Sequence, residues 1–397
     1  MKSSRRTLLK AGLALPALTL ESVVGGPAVQ RNSSFDPWVE IHAAHLRHNV
    51  REIQQRIHSR PILAVIKNNG YGLGIVTAAR LLEPLEGIAG FAVVKLQEAI
   101  ALRDAGIRKP VLLMGPFEEK ELEEVAARNI MPMVYTPMGS VLDRVSGKLR
   151  KPIPIHVCVD TGIGRVGVPY RDAPSLIREL ALRRTSVRIE GVMMTFTEDP
   201  DFDLVQLDRF RSLCRQMERE GIALGKKHAA SSYALFQHPE AFLDMVRPGM
   251  AIYGIYPEAE FRAMKVMELR PALSLKARVI YVKQLQKGES AGYNRVYKAR
   301  ENVWVATLPV GHADGLPRTV VKGAHVRIGT DLYPIVAISA SHTIVEIGPE
   351  PRVKIGDVAV LFDWQEGSRP EDVAASSGSS VYDLTMHLSP LLPRRIL

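Results

Sequence analysis

A (β/α)8 barrel of the TIM type followed by a C-terminal mainly-β domain is the architecture this sequence predicts, on three observations. Short runs rich in β-branched and apolar residues recur over the first two thirds of the chain. Amphipathic segments separate them. After Arg270-Pro271 the alternation stops and strands follow one another without intervening helices. Repeated strand-then-helix argues for parallel strands, because returning to the start of the next strand takes a helix's worth of chain. Eight repeats argue for closure into a barrel.

The expected staves run from Ile62 to Ile66, Gly90 to Val94, Val111 to Met114, Met131 to Tyr135, Ile153 to Val159, Val187 to Met194, Lys227 to Ala230 and Asp244 to Arg247. Between them, segments such as Leu96 to Leu102 and Asp203 to Phe210 place apolar residues three and four apart, the helical spacing. The second domain is read from Leu273 to Val282, Val303 to Leu308, Val326 to Ile328, Tyr333 to Ile338, Thr343 to Ile347 and Val358 to Phe362, with a surface loop from Glu366 to Ser380 where Gly, Ser and charged residues gather. The expected bounds are 37–267 for the barrel and 268–397 for the β domain.

With 397 residues, 46% hydrophobic and 24% charged, the chain can bury two cores. The formal charge of +10 is dispersed after the first residues, which fits a solvated surface better than a nucleic-acid track. Cys158 and Cys214 are the only cysteines, so no disulfide framework is implied. The histidines His156, His228, His312 and His342 lack metal-ligand spacing. At the start, Ser4-Arg5-Arg6-Thr7-Leu8-Leu9-Lys10 precedes an apolar run from Ala11 to Leu20, and Gly26-Pro27-Ala28 offers a small-residue cleavage site. Residues 1–28 therefore read as a twin-arginine signal peptide, with a periplasmic or otherwise exported mature protein and no membrane span once the signal is removed.

Barrel enzymes carry their chemistry at the C-terminal ends of the strands. Lys67 ends the first stave, Arg165 follows the fifth, Thr195 the sixth, Ser232 the seventh, and Arg247-Pro248-Gly249 the eighth. Around Lys67 the run Ala64-Val65-Ile66-Lys67-Asn68-Asn69-Gly70-Tyr71-Gly72 joins an apolar approach to a glycine-punctuated exit. Asp160-Thr161-Gly162-Ile163-Gly164-Arg165 passes into a glycine-rich turn with one arginine, whose permanent charge and rigid fork suit an anionic oxygen. Each has a plainer reading: a lysine snorkelling from a buried strand, a rim salt bridge, a helix cap at Ser232.

Together these motifs resemble the alanine racemase family, from about Trp38 to the C-terminus. The resemblance implies pyridoxal 5'-phosphate as cofactor, carried covalently on Lys67. It implies contacts to that cofactor from Tyr71, Arg165, Ser232, Arg247, Gly249 and Met250. Arg247, in Arg247-Pro248-Gly249-Met250, would face the pyridine nitrogen and keep it unprotonated. Racemisation needs acid-base groups on both faces of a planar carbon. The resemblance assigns them to Lys67 and to Tyr293, in Ala291-Gly292-Tyr293-Asn294-Arg295, on a loop that enters a second subunit, and it implies a homodimer with shared active sites. Arg165 and Ser341 would border the substrate carboxylate.

Departures from the family pattern cluster near those groups. Thr195 stands where a histidine is usual, and Cys158 where many members carry a carbamylated lysine that orients the arginine. His342 falls in the stretch by the substrate carboxylate, His312 replaces a corridor tyrosine, and Pro390 lies where a phosphate-contacting tyrosine is common. Alanine heads the expected substrates. A larger or basic amino acid stays open because of His312 and His342, and a cofactor-binding protein without turnover because of Thr195 and Cys158.

Overall fold

The structure, a computed structural model, describes residues 35–397. The signal-peptide expectation for residues 1–28 lies outside them.

Seven strands form the barrel wall in chain order: Ile62–Val65, Ile88–Val93, Val111–Leu113, Ile130–Val134, Ile153–Asp160, Val187–Met193 and Lys226–His228, each parallel to the next. The first four are apolar throughout because both faces are covered, one by the packed lumen and the other by helices, whereas Val187–Met193 carries Arg188 and Glu190 and Lys226–His228 is polar.

The eighth expected stave, Asp244 to Arg247, is not a strand. It contributes one isolated parallel bridge, Ile62 to Val246. The segment still closes the ring. On one side the Asp244 and Arg247 amides donate to Lys227 and Ala230 carbonyls at 3.1 and 2.8 Å; on the other, Leu63 and Val65 amides donate to Val246 and Pro248 carbonyls, both at 2.9 Å. Pro248 has no N–H to extend the ladder, so the chain turns away at once and carries Arg247 and Gly249 to the rim.

The β domain is a nine-stranded sheet. The expected strand from Leu273 to Val282 is two, Leu273–Arg278 and Tyr281–Leu285, which pair with different neighbours. Trp38–Ile41, which falls within the expected barrel bounds, lies in this sheet between Leu273–Arg278 and Arg394–Ile396. The Glu366 to Ser380 loop is also corrected. Pro370–Ser377 is a helix with Val373, Ala374 and Ser377 buried, and Val381–Thr385 is another, opened by a capping box in which Ser380 and Asp383 each accept the other's backbone N–H. Serine and charged residues there serve as caps and inward polar contacts rather than as loop surface. No helix among the described residues is long and apolar enough to cross a membrane.

Candidate active site

A cavity of about 940 Å³ opens at the C-terminal ends of the barrel strands. Lys67, Tyr71, Arg165, Ser232, Arg247, Gly249 and Met250 all line it, together with Thr195 and Cys158. Seven of the residues expected from the sequence therefore meet at one place.

Lys67 follows Ile62–Val65 after a single residue, Ile66, and is half buried. Beyond it the backbone coils left-handed: φ is +53° at Asn68, +57° at Asn69, +62° at Gly70 and +53° at Tyr71. Such angles cost an L-residue of tyrosine's bulk on the order of 1–2 kcal/mol, so other contacts must hold the turn. The Glu98 carboxylate does this. It is 9% exposed and accepts from the Asn69 amide at 3.0 Å and from the Val94 and Lys95 amides at 3.4 and 3.3 Å. Asn69 Oδ1 accepts from Ile75 N–H at 3.1 Å. Glu98 was not singled out in the sequence; its only signal there is a carboxylate on the inner face of an amphipathic segment. Burial, with Arg165 nearby, lowers the Lys67 pKa below that of an ordinary lysine.

The coil delivers Tyr71 to the cavity floor, 4% exposed, its ring stacked on Tyr253 with centroids 4.7 Å apart. Ser232 does not cap the helix Ala234–Gln237, as the sequence suggested it would. Its Oγ instead accepts the Gly249 and Ala251 amides at 3.0 and 3.1 Å, which leaves its own hydrogen to donate. Tyr71, Ser232 and the Gly249 turn thus gather hydroxyl and amide donors in one corner. A Cβ at position 249 would lie 2.2 Å from the Tyr71 hydroxyl, which is why glycine is there.

Across the cavity Arg247 is 5% exposed and held by three hydrogen bonds: Nη1 donates to the His228 carbonyl at 2.8 Å and meets His228 Nδ1 at 2.9 Å, and Nη2 donates to the Met194 carbonyl at 2.7 Å. Burial brings its pKa down to about 10, which still leaves it charged at neutral pH. An arginine has no lone pair to offer, so His228 Nδ1 accepts and its Nε2 carries hydrogen, donating to His156 Nδ1 at 2.8 Å. Burial and Arg247 hold both imidazoles neutral, His156 with a pKa near 4.

Arg165 is exposed on its loop. The loop is fixed at both ends: Asp160 Oδ1 accepts the Gly162 and Gly164 amides at 2.8 and 3.2 Å, and the Cys158 thiol donates to the Val166 carbonyl at 3.5 Å. Burial pushes that thiol's pKa up to about 11, so Cys158 is a neutral packing group. Two fully buried side chains of the helix Pro200–Arg219 tie this loop to its neighbour. Gln206 donates to Thr161 Oγ1 and to the Thr195 carbonyl, both at 3.2 Å, and accepts from Thr197 N–H at 2.9 Å; Asp203 accepts from Thr197 and Glu198 amides, both at 3.1 Å. Polar residues on the inward face of an amphipathic helix were the available sequence signal.

Tyr382, also missed in the sequence, lines the cavity too, its ring 6.2 Å from that of Tyr71. A tyrosine near the C-terminus is thus present at this corner despite Pro390. Tyr293 and Ser341 are not in the cavity. Tyr293 is 79% exposed on the left-handed turn after Gly292, and Ser341 is exposed in the turn between Ser339 and His342. They share one side of the β domain with His312: Gly292 abuts Ala337, and His312 N–H donates to the Ser339 carbonyl at 3.0 Å.

Fold and cavity define a barrel protein with a desolvated lysine, hydroxyl and amide donors and a buried arginine facing one space. Comparison with known proteins gives the family. The description "Alanine racemase, N-terminal domain" matches residues 41–257, and "Alanine racemase, C-terminal domain" matches residues 272–396. The alanine racemase of Clostridium tetani is 32% identical over 368 residues, covering 90% of this chain and 94% of that one. Among solved structures, the alanine racemase from D-cycloserine-producing Streptomyces lavendulae superposes with a TM-score of 0.85 at 28% identity, covering 92% of this chain and 98% of that one. The alanine racemase from Bacillus anthracis with bound L-Ala-P gives 0.81 at 28% identity, covering 91% and 95%. The chain belongs to the alanine racemase family.

Proposed function

We propose that the protein interconverts L- and D-alanine with pyridoxal 5'-phosphate, as a homodimer in which each cavity is completed by Tyr293 of a second copy. The observation that carries this reading is the meeting of Lys67, Arg165, Arg247 and the Tyr71–Ser232–Gly249 corner in a single cavity.

The residues fit the cofactor. Lys67 Nζ would hold its aldehyde carbon, Tyr71, Ser232 and the Gly249–Met250 turn its phosphate, Arg165 its phenolic oxygen, and Arg247 its pyridine nitrogen. When bound, pyridoxal phosphate supplies a conjugated ring that accepts the electrons left when the Cα–H bond breaks. The chain does the rest. Burial makes the Lys67 amine easier to deprotonate, so it can take or return a proton at Nζ. Arg247 stays charged at neutral pH and is positioned by His228, so a pyridine nitrogen held against it would stay unprotonated and its electron withdrawal would be moderated. The second proton carrier belongs on the opposite face. Tyr293 projects into solvent and does not line its own cavity, on the side of the β domain that also carries Ser341 and His312, as expected of a loop donated to another copy.

Export is part of the same proposal, supported by Arg5-Arg6 and the apolar run from Ala11 to Leu20. The decisive assay incubates purified protein with L-alanine in deuterium oxide and follows product chirality. Wild type gives both enantiomers labelled at Cα. Tyr293→Phe should still label one enantiomer while interconversion falls by two orders of magnitude or more, about the contribution of a positioned acid or base; interconversion at the wild-type rate would refute the two-base assignment.

A further inference from the structure

Two carboxylates on the cavity wall have no role in the chemistry above. Glu198 and Glu258 both line the space that holds Lys67, both are exposed to it, and neither has an ion-pair partner among the described residues. Glu198 is held firmly in place. Its backbone is left-handed, φ +66°, and its amide donates to buried Asp203 at 3.1 Å, so the side chain leaves a fixed point on the loop after Val187–Met193. It senses Lys67 and Glu258 electrostatically, which puts the three groups in one neighbourhood. A third carboxylate, Glu371 on the helix Pro370–Ser377, borders the same cavity with its side chain 9% exposed; one oxygen accepts Tyr256 N–H at 2.9 Å and the other accepts no hydrogen bond, with Arg369 3.5 Å away. The cavity's own cations are committed elsewhere: Arg247 to His228 and Met194, Lys67 and Arg165 to the cofactor in the reading above.

We infer that Glu198, supported by Glu258, recognises the cationic side chain of a basic amino acid, so that the substrate range of this site includes lysine-like molecules. This inference rests on the racemase reading. Carboxylates that share a confined space are stabilised by a cation reaching between them, and a space of about 940 Å³ has room for a four-carbon side chain beside the cofactor. Alanine leaves that arm of the cavity to water, whereas the ammonium of lysine spans from the reacting carbon at Lys67 toward the wall where Glu198 stands. Nothing in the racemisation step changes, since the added contact acts on a part of the substrate that does not react.

The test measures kcat/KM for L-alanine and L-lysine side by side in the cofactor-loaded wild type, Glu198→Gln and Glu258→Gln. Glutamine keeps the size of the side chain and the backbone N–H hydrogen bond to Asp203, so folding is preserved. The expected result is turnover of both amino acids by wild type and a selective roughly ten- to hundredfold loss for lysine in Glu198→Gln, the range of one charge-assisted hydrogen bond. The same selective loss should appear in equilibrium binding of lysine to Lys67→Ala carrying Glu198→Gln. Turnover of alanine with none of lysine overturns the inference and leaves the racemase reading intact. So does a lysine-to-alanine ratio that Glu198→Gln leaves unchanged, including the case where that variant instead weakens dimerisation. Turnover of neither amino acid overturns the racemase reading itself.

Discussion

Gly249→Ala is the sharpest perturbation the cavity offers. The position has φ −116°, so an alanine there meets no left-handed penalty, and any effect must come from the space its methyl takes. That methyl would lie 2.2 Å from the Tyr71 hydroxyl and 2.8 Å from the ring carbon bearing it. The ring has little freedom to withdraw, being 4% exposed, stacked on Tyr253 and tied to a left-handed backbone. Overpacking of this kind costs about 1–3 kcal/mol. Urea unfolding should register that loss, and titration with pyridoxal phosphate should show roughly five- to hundredfold weaker binding, because the displaced hydroxyl belongs to the corner assigned to phosphate. Tyr71→Phe removes the closer of the two clashes and leaves the other. The double variant should therefore be less destabilised than the sum of the singles, with a coupling of about 0.5 kcal/mol or more. Wild-type stability and cofactor affinity in Gly249→Ala, or strict additivity with Tyr71→Phe, would refute the claim that glycine is there to admit Tyr71.

Two more expectations follow from the buried polar groups. A histidine kept neutral by burial is harmless above its ordinary pKa near 6.5; below it the unfolded chain binds a proton that the folded chain refuses until about pH 4, so His156 should drain on the order of 3 kcal/mol of stability as pH falls through that window. His156→Gln should flatten this part of the profile, read by urea unfolding at pH 7 and 4.5. Gln206→Ala strands the Thr195 carbonyl and Thr161 hydroxyl, each costing about 1–3 kcal/mol if left unpaired. It should loosen the loops carrying Arg165 and Glu198, seen as faster amide exchange in both and a raised KM.

The rim residues were legible in the sequence because a barrel puts strand ends on one circle, so Lys67, Arg165, Ser232 and Arg247 could be placed together by counting strands. What escaped acts across distance. Glu98 and Gln206 look like ordinary helix residues until their loops fold onto them. Tyr382 lies after a serine-rich segment whose inward face only its packing against Arg318–Lys322 and Val381–Thr385 reveals, and the same segment hid the helix Pro370–Ser377. The eighth stave failed for a local reason: its hydrophobic run was too short to ladder before Pro248. Tyr293 was legible as a residue, yet its own cavity does not contain it, so its partner surface had to come from the resemblance and not from periodicity.

The pairing of Trp38–Ile41 with Arg394–Ile396 has a bearing on biosynthesis. The Leu397 amide donates to the Ile41 carbonyl at 2.8 Å, and the Ala43 amide donates to the Leu397 carbonyl at 3.1 Å. During translation the earlier stretch emerges long before the later one exists, so one edge of Trp38–Ile41 waits unpaired until Arg394–Ile396 has been made. Synthesis of Arg394–Ile396, rather than completion of the cylinder, is then the event that lets the sheet close, and deleting those three residues should be far more damaging than their number suggests.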